Sequence, residues 1–254
     1  MRILLTNDDG VYAPGLAALA ESLRRLGEVT VVAPAAEQSG VGLSITYLHP
    51  ILVREEYRDG EFWGHAVQGS PADCVKLGML EFCDPEPDLV VSGINSGSNV
   101  GINVLYSGTV AGAIEGAFFG KTSVAVSLAQ GTPPDYPAAA DYATQVIETL
   151  LKTSPPAGSL WNLNLPETRP GWPLGLKPVR MAVRRRYDVV EKRTDPRGRT
   201  YFWSGIEAIR NHEPEPDTDL FEIGQGYATL TPLHFDLTNH RTVADLESVK
   251  WPRA

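Results

Sequence analysis

Five short apolar runs punctuate the first two-thirds of the chain: Ile3-Leu4-Leu5, Val29-Thr30-Val31-Val32-Ala33, Leu89-Val90-Val91-Ser92, Ser123 to Leu128 and Leu160 to Leu165. Runs this brief and this continuously apolar read as strands buried on both faces, as in a parallel sheet. Helical spacing fills the intervals. Leu16, Leu19, Ala20, Leu23 and Leu26 follow Pro14 and stop at Gly27, and Pro at the first turn is pre-set for a helix. Pro71 opens a second helix through Cys83, Ala111 to Phe119 forms a third, and Pro137 to Leu151 a fourth. This alternation predicts a doubly wound, Rossmann-like α/β fold with right-handed crossovers.

Two stretches depart from the alternation. Residues 45–67 read as a hairpin excursion turning at Arg58-Asp59-Gly60. Past Pro166, prolines at 170, 173 and 178 interrupt the pattern, and a β-like stretch from Val179 to Trp203 turns at Asp195-Pro196-Arg197-Gly198. A polar segment, Asn211 to Asp219, then leads to Tyr227-Ala228-Thr229-Leu230-Thr231-Pro232-Leu233. The expected division is a catalytic core over 1–166 and a β-rich extension over 167–254 that holds no helix of useful length. Two-stranded arms are marginal alone, so the extension is expected to pack on the core or on a second subunit. A homo-oligomer with contacts from residues 179–240 follows.

The net charge of −9 over 254 residues argues against a nucleic-acid polymer as partner, because phosphate backbones need a basic footprint. No apolar stretch approaches the roughly 20 residues that span a bilayer, and no signal peptide is visible. Cys74 and Cys83 are too few for a disulfide framework or a zinc site. They read as buried thiols of a cytoplasmic protein.

The first run stops on Asn7-Asp8-Asp9-Gly10, at the carboxyl edge where open α/β sheets bind ligands. Adjacent carboxylates repel, and a cation relieves them; alone, such a pair is equally a helix cap or a turn. The loop from Pro34 to Ser44 adds Ser39, and the loop Gly93-Ile94-Asn95-Ser96-Gly97-Ser98-Asn99-Val100-Gly101 adds Asn95. All four donors are oxygens, which suits Mg²⁺ or Mn²⁺ rather than zinc. Ser107-Gly108-Thr109 opens the third helix, where free N–H groups and the helix dipole attract anions. Taken singly, Ser107 or Thr109 reads first as an N-cap; beside a metal cluster, a phosphate site becomes the better explanation.

Asn7-Asp8-Asp9-Gly10, Ser39-Gly40, Gly69-Ser70-Pro71-Ala72-Asp73-Cys74-Val75, the Ser92–Gly101 segment and Tyr106-Ser107-Gly108-Thr109-Val110 together resemble the SurE family of survival protein nucleotidases. The resemblance covers nearly the whole chain, to the Thr231-Pro232-Leu233 region, with Gly69-Ser70-Pro71 where the family often shows Gly-Thr-Pro. It implies a phosphomonoesterase acting on nucleoside 5′- and 3′-monophosphates, with polyphosphate as a side substrate. It also implies one divalent metal per subunit on Asp8, Asp9, Ser39 and Asn95, and homodimers or homotetramers that exchange carboxyl-terminal arms. Phosphate is expected on Asn95, Ser96, Ser107, Gly108 and Thr109, with Asp8 and Asp9 as the catalytic pair.

A Mg²⁺-dependent phospho-accepting regulatory module is the alternative, since such modules also end a first strand in paired acids. They are shorter, and here Asn95 stands where their second Asp would. A dinucleotide oxidoreductase is disfavoured because the acids replace its Gly-rich turn. His49, His65, His212, His234 and His240 lie outside the converging loops and read as structural or exposed. Arg184-Arg185-Arg186 reads as a solvated face or an arm over a neighbour's substrate, and Tyr106 as a core residue or a base-stacking one.

Overall fold

A computed structural model describes every residue except 132, 184–187, 207–214, 250 and 253–254. The anticipated alternation opens it: β1 (Arg2–Thr6), α1 (Pro14–Leu23), β2 (Glu28–Pro34), then the hairpin β3 (Val53–Arg58) and β4 (Glu61–Val67). There follow α2 (Pro71–Leu77) with a π turn over Gly78–Phe82, β5 (Leu89–Ser96), a 3₁₀ turn over Gly101–Tyr106 and α3 (Gly108–Phe118). Next come β6 (Thr122–Leu128), α4 (Tyr136–Lys152), β7 (Leu160–Leu165), β8 (Leu176–Pro178), β9 (Asp188–Thr194) and β10 (Thr200–Ile206). The chain ends on α5 (Asp219–Gly224), β11 (Ala228–Leu233) and α6 (His240–Leu246).

Nine strands form one sheet in the order β3, β4, β2, β1, β5, β6, β7, β11, β8. Every pairing from β4 through β7 is parallel, while β3 and β11 run antiparallel to β4 and β7. Side chains alternate between faces along a strand, and the core divides accordingly. Ile3, Leu5, Val31, Leu89, Val91, Val124 and Val126 pack beneath α1 and α4. Leu4, Val32 and Val90 face the other way, against Cys74, Val75 and Met79 of α2 and its π turn. Burying each Leu on these faces contributes about 2 kcal/mol. Such double burial is why β1 reads as a continuous apolar run, whereas β7 alternates Leu with the fully buried Asn162 and Asn164.

From β1 the chain steps to β2 in one direction; from β5 it steps to β6 in the other. The carboxyl ends of β1 and β5 therefore flank the switch point, where crossover connections leave a crevice.

The structure refines several expectations. The hairpin turns at Asp59-Gly60, with φ of 50° and 84°, the two-residue geometry that suits strand twist; its strands form one edge of the main sheet. β5 runs on through Ser96, four residues into the stretch read as loop, because β6 continues to pair with Asn95 and Ser96. Two short helices, α5 and α6, stand in the tail. β9 and β10 form a separate two-stranded sheet around the expected turn. Cys74 is buried, whereas Cys83 is half-buried just beyond the π turn; both are free. Among the described residues no helix is long and apolar enough to cross a membrane.

Candidate metal and phosphate site

Asn7 shapes the loop that carries the acids. Buried at the end of β1, its Nδ2 donates to the Gly10 carbonyl at 3.0 Å, and its Oδ1 accepts the Gly10 N–H at 3.2 Å. This clamp turns the chain within four residues and leaves Asp8 buried and Asp9 half-buried.

The loops converge on that clamp. The Gln38 N–H donates to the Asp8 carbonyl at 2.8 Å, which draws in the segment bearing Ser39. The Ser96 N–H donates to Asp9 Oδ2 at 3.2 Å, which fixes the end of β5. From α3, the Thr109 hydroxyl donates to Asp8 Oδ1. Gly108 completes the junction: a Cβ there would stand 2.8 Å from Asp8 Cβ and 3.2 Å from the Gln38 carbonyl oxygen. Only a residue without a side chain lets the helix start approach so closely.

Burial raises the Asp8 pKa, against the opposing hydrogen bonds from Thr109. Burial, then repulsion from Asp8, pushes Asp9 up to about 6. Glu37 adds negative charge to both. Among the described residues no Lys, Arg or His forms an ion pair with either acid, and no three His, Cys, Asp or Glu side chains group around a common point. Two adjacent carboxylates without an ion-pair partner among the described residues form a donor pair that fits a hard cation.

The other residues singled out from the sequence fall as follows. Ser39 is exposed and donates its hydroxyl to Glu37, and Asn95 Nδ2 donates to the Gly97 carbonyl at 2.7 Å. Ser107 is the N-cap of α3, its Oγ accepting the Val110 N–H at 3.1 Å. Tyr106 is half exposed at the end of the 3₁₀ turn. His65 stacks on Phe82 with ring centroids 3.9 Å apart, His234 stacks on Phe235, and His240 meets Asp236. His212 and Arg184–Arg186 lie outside the described residues.

Sequence reasoning missed Glu37 and the backbone roles of Gln38 and Ser96. For Glu37 the adjacency to Ser39 was a usable signal; main-chain contacts between loops leave none.

The profile of the family described as survival protein SurE matches residues 3–188. A protein of Rhodopirellula baltica named 5′-nucleotidase SurE is 53% identical over 97% of this chain and 98% of its own length. A protein of the same name from Moorella thermoacetica is 47% identical over 99% and 98%. The crystal structure of the SurE protein from Aquifex aeolicus superposes with a TM-score of 0.86 at 37% identity, covering 97% of this chain and 98% of that one. Fold, loop convergence and near full-length likeness agree: this chain belongs to the survival protein SurE family.

Proposed function

We propose that the chain is a metal-dependent 5′-nucleotidase, hydrolysing nucleoside 5′-monophosphates, and 3′-monophosphates, to nucleoside and phosphate. One observation carries the reading. Two adjacent, uncompensated carboxylates meet the amino-terminal end of a helix at the switch point of a doubly wound sheet. Relatives named 5′-nucleotidase SurE support the substrate class.

In this reading Asp8, Asp9, Ser39 and Asn95 hold one Mg²⁺ or Mn²⁺ per subunit. Such a cation neutralises phosphoryl charge and makes its bound water acidic. Ser39 donates its proton to Glu37, so its oxygen lone pairs remain available. Asp8 or Asp9 would serve both as ligand and as acceptor of the proton from the attacking water. Thr109 spends both its hydroxyl and its backbone N–H on Asp8, tying the acid to the helix start. With Gly108, Ser107, Asn95 and Ser96 it lines the cradle for phosphoryl oxygens.

The extension fits self-association into dimers or tetramers. β9 and β10 stand outside the main sheet and expose Val190, Tyr201, Phe202 and Trp203, a surface that a second copy would cover. Small anionic substrates, acidic charge and reduced thiols suit a cytoplasmic setting.

Phosphate release from AMP and 3′-AMP, with Mg²⁺ or Mn²⁺ and with EDTA, tests the function. Release is expected with metal and not with chelator. Asp8→Asn and Asp9→Asn are expected to lose at least about 100-fold in kcat while keeping the wild-type circular dichroism spectrum. Wild-type turnover by either variant at limiting metal overturns the site.

A further inference from the structure

Past Asp9, the ends of β5 and β6 open onto a cavity of about 540 Å³, within the range of small-molecule sites. Ser96 belongs to both places: it lines this cavity and donates its N–H to Asp9. Its lining also includes Tyr136, Gln130 and Glu167.

These three side chains are placed by different elements. Tyr136 opens α4, half-buried, with a ring carbon 3.1 Å from where a Cβ on Gly15 would stand. Its ring is thus held against the first turn of α1, just past the acid loop. Gln130 follows β6, and its carboxamide nitrogen lies 3.8 Å from the corresponding point on Gly97. Glu167 follows β7 and folds across Gly131, its Oε1 2.8 Å from where a Cβ there would be. An aromatic face, a carboxamide and a carboxylate therefore surround one space beside the reacting centre.

Their chemistry matches a nucleoside. An aromatic ring stacks on a base. A carboxamide offers both donor and acceptor to a base edge, and a carboxylate accepts from ribose hydroxyls, as acidic residues do in dinucleotide sites. A smaller cavity of about 390 Å³ lies on the Asp8 side, near Gln38, Ile45 and Gln68. Its described lining contains no aromatic or charged side chain, so it lacks the stacking face and the carboxylate.

We infer that the cavity beyond Asp9 seats the nucleoside half of the substrate, with Tyr136 against the base, Gln130 on its edge and Glu167 on the ribose hydroxyls. The inference rests on the nucleotidase reading and assigns the part of the substrate that the acid pair does not touch.

The test compares AMP, 2′-deoxy-AMP and phenyl phosphate, a monoester without a nucleoside, in wild type, Gln130→Ala, Tyr136→Leu and Glu167→Gln. The ratio of kcat/KM for AMP to that for phenyl phosphate is expected to fall at least about tenfold in each variant, mainly through KM. Glu167→Gln is expected to abolish discrimination between AMP and 2′-deoxy-AMP, which a merely structural role would not do. Binding of adenosine alone, measured by saturation-transfer NMR without metal, is expected to weaken in all three. Unchanged ratios with unchanged adenosine binding overturn the inference, as does a fall caused instead by Gln68→Ala in the smaller cavity. Failure of the nucleotidase reading looks different: wild type then releases phosphate from none of the three esters, and adenosine binding alone decides the cavity's role.

Discussion

The hydroxyl of Thr109, in the first turn of α3, donates to the carboxylate of Asp8, just past the end of β1. One hundred and one residues separate them in sequence. The bond couples the start of α3 to the acid pair, so the proposed cation and phosphate sites share one joint. It also spends one lone pair of Asp8 Oδ1.

Thr109→Val keeps the shape and deletes the donor. Groups that orient metal ligands typically contribute 10–100-fold in metal affinity. The expected outcome is a loss of about that size in Mn²⁺ affinity, read by calorimetry, with a smaller change in melting temperature. Wild-type affinity would show that Asp8 is held by its surroundings without Thr109.

Gly108→Ala tests the close approach. The new methyl would stand 2.8 Å from Asp8 Cβ and 3.0 Å from Asp8 Oδ2, so the helix start or the acid loop must move. Overpacking of this kind costs about 1–3 kcal/mol. A larger effect is expected on turnover, at least tenfold, because a displacement below 1 Å spoils phosphoryl positioning. Urea unfolding and kcat on the same preparation separate the two.

Asp73 carries a pH dependence of stability. It closes a capping box with Ser70 at the start of α2, and its carboxylate accepts the Thr46 N–H at 3.0 Å and the Thr46 hydroxyl at 2.7 Å. Burial alone would raise its pKa; the bonds from Thr46 and Ser70 outweigh burial and hold it below its ordinary value. Stability from a depressed carboxyl is complete above its unfolded pKa, near 4, and is lost as pH falls through the folded value. Asp73→Asn is expected to be about 1–2 kcal/mol less stable than wild type at pH 7. That gap should narrow as denaturant titrations are repeated down to pH 3. A gap that stays constant would assign the cost to packing.

The β9–β10 sheet makes assembly testable without touching the site. Phe202→Ser with Trp203→Ser removes exposed apolar surface and is expected to shift the assembly toward monomer, while the wild-type chain scatters light as a dimer or larger. A wild-type mass near 27.6 kDa at micromolar concentration would refute self-association.

Local pattern and chemistry made much of this molecule legible in its sequence. Strands buried on both faces are rich in apolar residues, so β1, β2, β5, β6 and β7 could be read directly, as could Asp59-Gly60 as a hairpin turn. Asp8 and Asp9 stood out because paired charges ending such a run repel, and the loops carrying Ser39 and Asn95 favoured a cation over a cap or turn. Tertiary structure decided what depends on residues far apart in the chain. Ser107 caps α3 and Thr109 holds Asp8, a division that hinges on how the helix start meets β1. Residues 176–178 and 228–233 add β8 and β11 to the main sheet, a pairing encoded in no local periodicity. Tyr136, Gln130 and Glu167 share a cavity only because β6, β7 and α4 end at the same edge. Side-chain period and charge are local properties of a chain, whereas the convergence of loops is set by crossover handedness and strand order, which the packing of the whole sheet determines.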